Sequence, residues 1–209
     1  IKAKDKGLYS VSVIDHYTSY MERFTFNNQI VFPDLMLVSD EYAKQLAQNT
    51  FPLVKVIELK NLYIKNEVKL QLENRDKDVV SPPRKILVIM ENFQKSFQYN
   101  DSLCFDSLDY LIENLYKVTN NKNVIIQIRP HPSDKDDKYK VFIQKHNFFE
   151  LSKNQELYKD LAWADLVVGM QSFAMVVSLH SEIPTMSILP PDSIECILPF
   201  EKILHLKDL

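Results

Sequence analysis

Glycine occurs only twice in 209 residues, at Gly7 and Gly169. This scarcity restricts the chain more than any other feature. A P-loop and a GxGxxG turn both need several glycines so that backbone can come close to phosphate. Neither motif is present, so any phosphate bound here must be held by other donors.

Strand-like and helix-like runs alternate along the chain, which predicts parallel βα units and an α/β fold with Rossmann-like parallel sheets. In the first part, LYSVSVID (8–15), PDLMLVSD (33–40) and LVKVIEL (53–59) read as strands. TSYMERFTF (18–26) reads as a short helix, and EYAKQLAQNT (41–50) as a helix capped by Ser39 or Asp40. The composition then turns polar and ends in Pro82-Pro83. This divides the chain into a partial N-terminal α/β unit (1–62), a linker (63–83) and a Rossmann-like nucleotide-binding domain (84–209).

In that domain, strands are predicted near 85–90, 123–129, 165–169 and 184–189, the last closing the sheet, with a short one at 148–152. Helices are expected over 105–118, 139–146, 155–164 and 171–181. Phe105, Leu108, Leu111, Ile112 and Leu115 fall on one helical face. Segment 171–181 is nearly all apolar and is expected to be buried.

Composition narrows the function classes. Hydrophobic residues make up 45% of the chain, enough for a sizeable core. A net charge of −3 argues against nucleic acid as the main partner. No apolar run reaches the roughly 18 residues of a membrane span. Cys104 and Cys196 fit neither a disulfide framework nor zinc spacing, so they are read as thiols in a reducing, cytoplasmic setting. His146, His180 and His205 show no metal spacing, and no metal site is expected.

In open parallel sheets, ligands bind outside the carboxyl ends of the strands. Three strand exits carry chemistry. Arg129 and His131, in IQIRPHPSD, are flanked by prolines that stiffen the backbone, and a guanidinium beside an imidazole suits an anionic oxygen. After the strand DLVVG, Gly169 allows a tight turn. The helix starting near Gln171 then offers backbone N–H groups to phosphate, and Ser172 adds a hydroxyl. At the third exit, Asp15 and His16 are acid/base candidates. As neighbours on a strand they face opposite ways, so they are not expected to act as one dyad.

An R-x-H-P segment after a strand, then A-D-L-V-V-G-x-x-S and an apolar helix ending before I-P-T, resembles the C-terminal domain of GT-B-type enzymes. The nearest groups are bacterial capsular and surface-polysaccharide transferases, sialyltransferase-like and glycerophosphotransferase-like, that carry an HP motif. IDHYTSYMERF followed by PDLMLVSDEYAKQLA looks like the end of a GT-B N-terminal domain, which makes that domain incomplete here. The resemblance covers about 120 residues of the C-terminal part, and about 60 precede the linker. It implies that His131 and Ser172 contact the donor's phosphate.

The expected function is a glycosyl- or polyol-phosphate transferase in surface polysaccharide biosynthesis. Its partners would be a nucleotide-sugar or nucleotide-polyol donor and a saccharide acceptor, with no cofactor beyond the donor. The alternatives are a non-catalytic GT-B-like binding or scaffold module, a piece of a larger enzyme, or a UDP-sugar epimerase-like protein.

Overall fold

The apolar runs form parallel strands in the computed structural model, which describes residues 2–75, 79–92 and 102–209. The chain divides into two units, Ile1–Tyr63 and Ile64–Leu209.

In the first unit a short helix α1 (Lys2–Asp5) precedes strand β1 (Val11–Ile14). β4 (Leu35–Val38) pairs in parallel with β1 on one side and with β5 (Lys55–Glu58) on the other. Between β4 and β5 runs helix α2 (Glu41–Thr50), which starts where its cap predicts. The Asp40 carboxylate accepts the Ala43 N–H at 2.8 Å, satisfying one of the unpaired donors at the helix start. Tyr17 donates its hydroxyl to the same carboxylate. Burial and the Asp40 charge drive the Tyr17 phenol far above its ordinary pKa.

The predicted helix at 18–26 is not what forms. A 3-10 turn at Glu22–Phe24 leads into a hairpin of β2 (Thr25–Phe26) and β3 (Gln29–Ile30). Asn27 and Asn28 both take positive φ, the primed-turn geometry that two-residue hairpins prefer. Asparagine tolerates that region, so local turn chemistry overrides the helical spacing.

The second unit begins within helix α3 (Leu62–Asn74). Residues 76–78 of the predicted linker lie outside the described residues. The Asp165 carboxylate accepts the backbone N–H groups of Val80, Arg84 and Lys85, at 3.3, 3.0 and 3.0 Å. This clamp fixes the entry to strand β6 (Lys85–Ile89).

Helices α4 (Ser102–Glu113) and α5 (Leu115–Val118) follow, divided at Asn114, where a single helix is predicted. Then come β7 (Ile125–Arg129), α6 (Lys140–Lys145), β8 (Phe149–Leu151), α7 (Leu157–Trp163), β9 (Leu166–Gly169), α8 (Phe173–His180) and β10 (Thr185–Ser187). A two-residue strand, β11 (Leu204–His205), pairs outside β10, so β10 does not close the sheet as predicted. It is too short to show a periodicity in sequence.

The six strands lie in the order β11-β10-β9-β6-β7-β8, and every pairing is parallel. Side chains of both parities in β6 and β9 are buried, as a sheet covered on two faces requires. One face holds Ile86, Val88, Ile126, Ile128 and Val168 against Leu108 and Leu111 of α4. The buried α8 was legible from its apolar sequence: Met175 to Ser178 are all inaccessible.

Candidate functional site

β6 is the first strand of the six-stranded sheet. The chain adds β7 and β8 on one side of it, then returns to add β9, β10 and β11 on the other. The order reverses between β6 and β9, and at such a switch point the loops part and leave a crevice beyond the strand ends. The loops leaving β6, β9 and β7 therefore define the candidate site. They carry Glu91 and Asn92, then Gly169 to Ser172, then Arg129 to Asp134.

Gly169 is required for space rather than for an unusual turn. A Cβ there would sit 2.9 Å from Met175 Sδ and 3.0 Å from the Ile89 carbonyl oxygen. Its absence lets β9 lie close to both β6 and α8. Ser172 caps α8, its hydroxyl oxygen accepting the Ala174 N–H at 3.2 Å. Gln171 presents its backbone N–H toward β6, where Glu91 Oε1 accepts it at 2.6 Å. The Gln171 side-chain oxygen accepts the Ile197 N–H at 3.3 Å.

His131 is held by its own loop. Its Nδ1 accepts the Ser133 backbone N–H at 3.1 Å and lies 2.8 Å from the Ser133 hydroxyl. An N–H donating to Nδ1 places the neutral ring's proton on Nε2, the tautomer that can donate to an anion. Asp134 shapes the loop by accepting the His131 N–H at 2.9 Å, the Tyr139 hydroxyl at 2.9 Å and the Lys138 ammonium at 2.8 Å. Asn92 ties this loop to the β6 exit, donating to the Ser133 carbonyl and hydroxyl at 3.3 and 3.0 Å.

Arg129, the last residue of β7, is aimed by strand alternation toward α7. Its guanidinium donates to Asp160 Oδ2 at 2.5 Å and to the carbonyls of Asn154 and Gln155 at 3.1 and 2.7 Å. Asp160 also accepts from the Ser152 hydroxyl and the Asn154 amide, at 2.6 and 2.7 Å. The expected phosphate donor is thus engaged in a buried network. It still lines a cavity of about 450 Å³ with His131, Asp134, Ser152 and Gln155. A second cavity, of about 580 Å³, lies at the opposite edge beside Arg84, Lys85 and Trp163. There the Asp165 carboxylate is occupied by the clamp on the β6 entry.

The three exits are not equivalent. His131 and Ser172 follow strands separated by β6, and neighbouring strands lie about 4.8 Å apart. The two strands that end at these loops are thus about 10 Å apart. Asp15 and His16 follow β1 in the first unit and are exposed. Tyr20 is buried there.

Sequence reading missed Glu91, Asn92, Asp134 and Lys138. Asp134 is the fourth residue of the HPSD run, and its carboxylate reaches back three positions to the His131 N–H. Glu91 gave no local signal, because only the strand order brings β6 beside β9. Its carboxyl is pushed up to about 7 by burial, and the hydrogen bond from Gln171 opposes that shift. Among the described residues, no group of three or more His, Cys, Asp or Glu is placed to hold a metal ion. No described helix is long and apolar enough to cross a membrane.

No family model matches the chain, and no curated protein matches it. Two solved structures of the wall teichoic acid polymerase TagF, one of them a variant, are similar over 74% of this chain. The variant is 16% identical with a TM-score of 0.41, and the other is 15% identical with a TM-score of 0.38. The chain spans 39% of the length of each. The α/β assignment stands on the parallel strand order of the chain itself.

Proposed function

We propose that the carboxyl edge of the six-stranded sheet binds the diphosphate of a nucleotide-activated donor. In this reading the chain serves a glycosyl- or polyol-phosphate transfer to a saccharide acceptor in surface polysaccharide biosynthesis. One observation carries it. A histidine whose Nδ1 is fixed by the Ser133 N–H and the capped start of α8 follow strands that end on the same edge of one parallel sheet, on either side of the switch point.

His131 takes one phosphate by hydrogen bond. The turn Gly169-Met170-Gln171-Ser172 takes the other through backbone N–H groups and the Ser172 hydroxyl, where the α8 dipole favours negative charge. Arg129, ion-paired with Asp160, braces the segment behind the His131 loop rather than making a direct contact. Donors placed where the leaving phosphate gains charge lower the barrier to its departure. In the first unit, taken by itself, Asp15 and His16 remain the acid/base candidates. The resident chemistry requires no cofactor other than the donor, and the reaction belongs in the cytoplasm, where such donors are made.

The test is a thermal-shift panel of CMP, CDP, UDP and GDP, followed by calorimetric titration of the best binder. A ligand at 100 times its dissociation constant raises native stability by about 2.7 kcal/mol. The diphosphates are expected to shift the transition and CMP to shift it less. His131→Ala is expected to weaken diphosphate binding at least about tenfold with the fold intact, since a loop side chain adds little to the core. Equal affinity in that variant would remove His131 from the reading.

A further inference from the structure

Glu91 sits in the seat that the proposed function gives to a phosphate. Its carboxylate takes the Gln171 backbone N–H at 2.6 Å, at the turn that leads into α8. That N–H lies at the switch point, where the fold offers its donors to a ligand. One N–H cannot serve two anions at full strength, and two like charges in a crevice of low dielectric repel strongly.

We infer that Glu91 is a built-in gate on the anion site: its carboxylate closes the α8 start when no ligand is bound and gives way, by taking a proton, when phosphate arrives. This rests on the phosphate reading of that site. The proton comes from solvent and adds to a carboxylate oxygen. The neutral carboxyl can then donate its O–H to a phosphate oxygen, so a repelling group becomes a hydrogen-bonding one.

The surroundings make that change accessible. Among the described residues, the groups that face Glu91 are the Gln171 turn, Cys104 of α4 and Cys196 of the C-terminal segment. The Cys104 thiol donates to the Glu91 carbonyl oxygen at 3.2 Å. Burial pushes the Cys196 thiol up, and the Glu91 charge adds to that shift. None of these three side chains carries a positive charge that would hold Glu91 ionised. Desolvation accordingly sets its proton affinity near neutrality, where a nearby anion can tip it. Asn92, the next residue, bonds to the Ser133 of the His131 loop. Movement of Glu91 is therefore coupled along the backbone to the second phosphate position.

The experiment is calorimetric titration of the full chain with CDP and with pyrophosphate. It is run at pH 6, 7 and 8, each in two buffers of different ionisation enthalpy, for wild type and Glu91→Gln. Glutamine keeps the shape and still accepts the Gln171 N–H, but it neither carries the charge nor takes up a proton. Wild type is expected to take up a proton on binding at pH 8 and to bind more tightly as pH falls. E91Q is expected to bind about tenfold more tightly than wild type at pH 8, the factor given by one pH unit of a fully coupled proton. Binding by E91Q with no detectable binding by wild type would support the gate most strongly.

Equal affinity and equal proton uptake in the two proteins would overturn the gate and leave the phosphate reading standing. Weaker binding by E91Q would overturn it as well, because the carboxylate would then be a ligand contact. Failure of both probes to bind either protein would overturn both readings. The wild-type proton count needs no variant, so binding without uptake overturns the gate even if E91Q folds poorly.

Discussion

The two sheets are built from the same parallel βα pattern but covered differently. In the three-stranded sheet, Ile14, Met36 and Val38 are buried, on the parity that faces α2. The other parity brings Val13, Leu37 and Ile57 into register, yet Val11 and Val13 are 51% and 69% exposed. In the six-stranded sheet, β6 and β9 are inaccessible on both parities. The difference separates what each sheet can hold still. A strand packed on both faces fixes the loop that leaves it, and loops fixed in that way carry Glu91 and the α8 start. Asp15 leaves a strand packed on one face and is exposed.

The largest expected effect breaks the contrast from the rigid side. Asp160 is fully buried and satisfies Arg129, Ser152 and Asn154. Removing one partner of a buried pair costs about 3–5 kcal/mol, because the other charge is left without compensation. Asp160→Ala is expected to lower the unfolding free energy of the second unit by that amount, read as a lower urea midpoint at unchanged slope. Hydrogen exchange resolved by segment should show the loss in β7 and α7 but not in β1 and β4. A uniform change across both units would mean that they unfold together.

The next effect concerns pH. The Glu91 carboxyl sits at about 7 against an ordinary value of 4.5, with burial as the main cause. Between these two values the folded chain holds a proton that the unfolded chain has lost. Wild-type stability from this group is therefore full below about pH 4.5 and lost as pH rises toward 7. The loss is on the order of 1 kcal/mol for each pH unit crossed. Glu91→Gln lacks this slope, so its advantage over wild type should be near zero at pH 4.5 and largest at pH 8. Parallel stability curves for the two proteins would show that Glu91 titrates normally.

The smallest effect sharpens the contrast from the open side. Val13→Thr changes an exposed position on β1, and its cost should stay within about 0.5 kcal/mol. A loss several times larger would show that this face is covered in solution.

Much of the second unit was legible because its strands are short apolar runs separated by turn residues and helical spacing. The α2 cap was legible because an aspartate preceded the run. The β2–β3 hairpin was not legible because its strands are two residues each, too short to show alternation, and only Asn27-Asn28 marks the turn. At the candidate site, His131 and Ser172 were legible as polar residues at strand exits. Arg129 was read as an anion donor at a strand exit, but strand parity turns it toward Asp160 of α7. Glu91 was not legible at all. A glutamate after ILVIM looks like any residue returning to solvent until the topology places Gln171 beside it.

The same adjacency has a consequence for how the protein is made. Glu91 and Gln171 are 80 positions apart, and β6 pairs with β9 across that interval. Contacts so distant in sequence close slowly, because the intervening chain must be ordered first. A ribosome would release the β6 edge long before its partner is synthesised, exposing an apolar strand with no neighbour on that side. The crevice would not exist as a local motif that forms early and waits for the rest. It would come into being with the last large step of folding, so that ligand recognition and completion of the sheet would be a single event.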